Sequence, residues 1–177
     1  KEIKMEPLKK IYNTENWSLI YLSLLKDISK EFPKFKIRLF SENLFLNVLS
    51  HLGFFKNVSA MTMGNTIYVC DDFHNKKSST KAITLAHERE HLDQIKVYGT
   101  FLFYFLYLFT LPVFFTFRAK FEKEAYTVDL VNFFHEDPDI ESIDSELLRM
   151  IDIFTGSSYL YMSLNKENIK SWFWDLA

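Results

Sequence analysis

Apolar residues recur at helical spacing in several stretches of the chain and alternate at strand spacing in two others. Trp17, Ile20, Leu24 and Leu25 mark one helix face, with Asn13 or Thr14 as its cap and an end near Lys30. Phe35 to Leu39 reads as a strand, and Ser41 caps a second helix that Gly53 ends. Val58 to Met63 and Thr66 to Val69 are β-type runs on either side of Gly64-Asn65, which predicts a two-residue hairpin. Ala82, Leu85, Ala86, Leu92 and Ile95 then form one stripe of a helix from Lys81 to Tyr98, for which Ser78-Ser79-Thr80 offer cap oxygens. Strong helix formers fill Arg118 to Tyr126, placing Arg118, Glu122 and Tyr126 on one face. That run closes at His135-Glu136-Asp137-Pro138, and a last helix from Ile143 to Phe154 stops at Gly156. The expected class is α+β, mostly helical, with a small β-hairpin or sheet before the Lys81 helix.

From Val97 to Phe117, twenty-one residues carry no charge and ten are aromatic, bracketed by Lys96 and Arg118. The length would suit a membrane span, but a single crossing would part the residues before it from those after it, and two crossings need about forty residues. A turn near Thr110-Leu111-Pro112 is therefore expected. The segment can be a core-buried hairpin or bent helix, a docking patch for a membrane or another protein, or a flap over a cleft.

Composition narrows the class. A chain of 177 residues with four Gly and four Pro, without repeats or a linker, is expected to form one domain, 1–177. A net charge of -2 with mixed signs leaves no electrostatic footprint for nucleic acid. The single Cys70 excludes an internal disulfide and fits a reducing compartment, cytoplasmic or in a virion or membrane-associated assembly. No signal-peptide pattern opens the chain, and its first residue, Lys1 rather than Met, is consistent with a leader or propeptide upstream. Tyr159, Tyr161, Trp172, Phe173 and Trp174 are candidates for core packing or for a substrate cleft.

The chemistry concentrates in His87-Glu88-Arg89-Glu90-His91. Residues i and i+4 of a helix share a face, so both imidazoles reach one cation, and Zn2+ accepts neutral imidazole nitrogens in tetrahedral geometry. Glu88, beside the pair, is placed to take a proton from a water on that cation. A catalytic zinc needs a third protein ligand. Gln94 and Val97 stand where a His-x-x-Gly-x-x-His extension would need Gly and His, so the metzincin pattern is excluded. Glu122 on the downstream helix is the carboxylate expected on the metal, with Glu124 as its rival. His135 reads as a helix-end residue favoured by the dipole.

HEREH followed by Glu122-Lys123-Glu124-Ala125-Tyr126 resembles the gluzincins, the thermolysin-like clan of zinc metallopeptidases. The resemblance covers roughly residues 58 to 132. It implies a zincin-like domain with His87, His91 and Glu122 as zinc ligands and Glu88 as the general base in peptide hydrolysis, with a peptide or protein as substrate. The clan's second-helix Asp, which orients a ligand His, is Tyr126 here. Asp129, one turn on, can take that role. The resemblance also implies that Ser59 to Met63 forms the cleft edge and pairs with an extended peptide. Tyr126, Tyr98 and Arg118 are the candidates for oxyanion stabilisation. The same scaffold could instead serve as a non-catalytic structural or binding component docking through Val97 to Phe117.

Overall fold

A computed structural model describes residues 16–51, 58–108, 115–136, 140–156 and 166–174. Helix α1 spans Trp17–Glu31 and is capped by Asn16, whose side chain accepts from the amides of Ser18 (3.1 Å) and Leu19 (3.4 Å). Strand β1 (Lys36–Leu39) and a short turn of 3-10 helix lead to α2 (Leu44–Ser50), where Asn43, not Ser41, receives the amides of Phe45 and Leu46. The hydroxyl of Ser41 bonds Asp71 instead, at 2.8 Å. Asn13, Thr14 and Gly53 lie outside the described residues.

Strands β2 (Ala60–Met63) and β3 (Thr66–Val69) form the expected hairpin, and Gly64 supplies the positive φ, 59°, that a two-residue loop requires. β3 is the middle strand of three: β1 joins it in parallel, Lys36 opposite Thr66, and β2 pairs antiparallel, Ala60 opposite Val69. β2 is therefore an edge strand.

Helix α3 runs over Ser78–Tyr98. It begins at Ser78 rather than Lys81, so the three hydroxyl residues occupy its first turn, and Ser78 meets Ser18 of α1 through its hydroxyl at 3.0 Å. Gly99, at φ 76°, ends it and turns the chain into α4 (Thr100–Leu108). Then follow α5 (Phe115–Glu136), α6 (Ile140–Thr155) and α7 (Lys166–Trp174). After α6 comes Gly156, where any Cβ would stand 2.4 Å from the carbonyl oxygen of Asp152.

Three apolar clusters hold α3 and α5 in place. Leu24 and Ile28 of α1, Ile67 and Val69 of β3, and Leu85 and Leu92 of α3 fill the first, which Val128 of α5 joins. Leu130 of α5 packs with Leu147, Met150 and Phe154 of α6 and Phe173 of α7 in the second. Ile95, Phe103 and Phe121 form the third, pinning α4 across α3 and α5. Each such side chain, fully buried, contributes about 1.5–3 kcal/mol. Trp172 and Phe173 thus serve packing, as one of the two expected roles had it; Tyr159, Tyr161 and the side chain of Trp174 fall outside the described residues.

The uncharged segment is not simply buried core. On α4, Phe103 is buried and Tyr104 and Tyr107 turn inward, whereas Phe101 is 83% exposed and stacks on the half-exposed Phe105. Among the described residues no helix is long and apolar enough to cross a membrane. The expected turn at Thr110-Leu111-Pro112 falls outside the described residues; Tyr107 of α4 touches Glu122 of α5.

Candidate metal centre

Helical spacing brings His87 and His91 together on the face of α3 that meets α5, their ring centroids 5.1 Å apart. Glu122 arrives from α5 between them. Its Oε2 lies 3.6 Å from Nε2 of His87 and its Oε1 lies 3.9 Å from Nε2 of His91. One ligand atom from each of the three residues falls within 4.8 Å of the others. Zinc bonds of about 2.0–2.2 Å would set tetrahedral ligand atoms about 3.3–3.6 Å apart, so the triad, within 4.8 Å, would close by up to about 1.2–1.5 Å on an ion. Two imidazoles and a carboxylate, all largely buried, form a donor set that fits a divalent transition metal.

Both rings are oriented from behind. Nδ1 of His87 stands 2.9 Å from Oδ2 of Asp129, and Nδ1 of His91 stands 2.9 Å from Oε1 of Gln94. Each acceptor draws the ring proton to Nδ1 and leaves Nε2, the nitrogen facing Glu122, with its lone pair. Asp129 therefore fills the orienting role, while Tyr126 packs edge-on against the His87 ring, centroids 4.8 Å apart. Gln94 is fixed in turn by donating to the carbonyl of Phe121 and to Oε2 of Glu124, both at 3.0 Å. That contact places Glu124, the rival ligand, on Gln94, whereas Glu122 is the carboxylate within the triad. A helix presents residues 122 and 124 about 200° apart, so only one of them can face the imidazoles. His135 belongs to the last turn of α5, and its side chain is outside the described residues.

Without a cation the cluster balances its own charges. Burial disfavours a charged His87, but the Asp129 and Glu122 carboxylates outweigh it and raise its pKa well above the ordinary value. Burial likewise opposes a charged Glu122, yet the His87 and His91 rings and the Tyr107 hydroxyl hold it down at about 2.

Glu88 turns away from the imidazoles to β2. The hydroxyl of Thr62 donates to its Oε2 at 2.6 Å and lies 3.2 Å from its main-chain oxygen, fixing both carboxylate and strand. On the other side of the helix, Arg89 bonds Glu31 at 3.0 Å and ties α3 to α1. A cavity of about 610 Å3 opens on His87 and Glu88, with Ser59 and Ala60 on one wall and Tyr126, Asp129 and Arg149 on the other. Of the three oxyanion candidates only Tyr126 lines it. Tyr98 packs on Phe121, and Arg118 stacks over the ring of Tyr107.

Thr62, Gln94, Tyr104 and Tyr107 escaped sequence reasoning as site residues. Gln94 alone carried a local signal, since it follows His91 by three residues and so shares its face. The geometry is that of a buried His, His, Glu triad consistent with an HExxH…E zincin-like site. No protein-family model, no curated protein and no solved structure matches the chain.

Proposed function

We propose that this chain is a zinc-dependent metallopeptidase that hydrolyses peptide bonds, with His87, His91 and Glu122 as metal ligands and Glu88 as general base. The single observation that carries this reading is the placement of Glu88. Its carboxylate is held by Thr62 in the lining of a cavity that His87 also lines, beside a triad able to hold a cation. When bound, zinc supplies Lewis acidity, which acidifies water and polarises a carbonyl. Glu88 accepts the proton of the attacking water and returns it to the leaving amine. Asp129 and Gln94 keep the two imidazoles in the tautomer that binds metal. Oxyanion stabilisation is assigned to Tyr126, the candidate that lines the cavity.

Replacing Glu88 with Gln removes the base and preserves shape. Zinc content should stay at the parent level, and cleavage of a peptide library, sensitive to chelator in the parent, should fall at least about 100-fold. Cleavage by Glu88→Gln at the parental rate would refute the assignment.

One observation favours a second reading. The outward face of α4, with Phe101, Leu102 and Phe105 exposed, would suit a non-catalytic zincin-like component docking through Val97 to Phe117 on a membrane or a protein. That reading predicts a zinc site that is absent or fully closed by four protein ligands, and a chain that binds no zinc, or binds it and cleaves no library peptide, would support it.

A further inference from the structure

Resting on the peptidase reading, we infer that the cleft is one-sided: beyond the residue whose carbonyl is attacked, it admits substrate chain only on the carboxyl side of the scissile bond, so the enzyme trims peptides from the amino terminus. The inference comes from the edge of β2. Antiparallel strands direct alternate residues toward and away from the partner strand. The carbonyl of Ser59 accepts from the amide of Cys70 at 3.0 Å, so Ser59, Met61 and Met63 bond inward to β3, while Ala60, Thr62 and Gly64 turn their main-chain groups outward.

Tyr104 of α4 closes part of that outer edge. Its hydroxyl accepts from the amide of Gly64 at 2.6 Å and donates to the carbonyl of Thr62 at 3.2 Å. One side chain thus replaces the hydrogen bonds that an added strand would make there. Thr62 is also the residue that holds the Glu88 carboxylate, so the closure begins level with the base. One turn along α4, the Tyr107 hydroxyl donates to Oε1 of Glu122, covering the triad from the same side. Among the described residues the opposite direction is open. The cavity runs from Glu88 along Ser59 and Ala60 and on to Arg149 and Ile153 of α6.

A peptide that adds antiparallel to β2, the stronger ladder and a continuation of the β2–β3 pairing, runs from the Gly64 end towards Ser59. Its amino-terminal side meets Tyr104 and Tyr107, and its carboxyl-terminal side follows Ala60 into the cavity. Residues before the scissile bond therefore lack an edge to pair with.

Peptidyl hydroxamates of opposite polarity test this on the zinc-loaded protein by calorimetric titration. One probe carries a tetrapeptide on the amino side of the chelating group, the other on the carboxyl side, and acetohydroxamic acid carries none. The carboxyl-side probe should bind about tenfold or more tighter than the amino-side probe, the worth of two main-chain hydrogen bonds. Tyr104→Phe, which releases Thr62 and Gly64, should narrow the gap by tightening the amino-side probe alone. Equal affinities of the two probes, a preference for the amino-side probe, or no gain of either over acetohydroxamic acid would overturn the one-sided cleft and leave the metal reading intact. Failure to retain zinc or to bind acetohydroxamic acid would overturn both together.

Discussion

Gln94 reaches back one turn along α3 to accept from the imidazole of His91, Oε1 to Nδ1 at 2.9 Å, while its amide donates to the Phe121 carbonyl of α5. One side chain therefore sets a ring tautomer and joins the two helices that build the site. Loss of such an orienting partner typically weakens metal binding about 10–100-fold. Gln94→Ala should do so in a competition titration with a chromophoric chelator, and Asp129→Asn should do the same through His87. Parental affinity in both variants would mean that the rings need no support from behind.

Thr62 is expected to act on the base and not on the metal. Thr62→Val keeps the shape but removes the hydroxyl that holds Oε2 of Glu88 at 2.6 Å. Zinc affinity should remain within about twofold of the parent, while kcat falls by about tenfold, the equivalent of one charge-assisted hydrogen bond, with KM little changed. A fall in zinc affinity with unaltered turnover would assign Thr62 to the fold alone.

Acidity should move the metal-free and metal-loaded proteins in opposite directions. His87 has a pKa raised above its ordinary 6.5, so its contribution to metal-free stability is complete below that value and is lost as pH climbs through the raised one. Glu122 is depressed to about 2 from 4.5, so its contribution is present above 4.5 and is lost as pH falls towards 2. Chelator-treated protein should therefore melt highest between these ordinary values. Zinc must displace the His87 proton, so zinc affinity should rise with pH until His87 is neutral. Thermal melts and zinc titrations across the neutral range check both, and metal-free stability that increases with pH there would contradict the assignment.

Much of this arrangement was legible in the sequence, for local reasons. The His87–His91 spacing, the Gly64 turn and the helix end at Tyr98 are encoded within a few residues of where they act. Glu122 was readable because helix periodicity sets its face; the contact that removes Glu124 runs to Gln94 on another helix. Thr62, Tyr104 and Tyr107 carried no such signal, because a hydroxyl in a strand or an apolar helix becomes a site residue only when tertiary packing brings it to Glu88, β2 or Glu122. The caps also moved: Asn16 caps α1, and at α2 Asn43 rather than Ser41 receives the first amides.

The central claim is a single cation held by residues from two helices, and equilibrium zinc binding with stoichiometry tests it most directly. The parent chain should bind one zinc per molecule, Glu122→Ala and His87→Ala should each lose about 100-fold or more in affinity, and Glu124→Ala should stay within about tenfold, as expected of a residue that acts only through Gln94. A chain that binds no zinc, or one whose affinity falls with Glu124 and not with Glu122, would contradict the account.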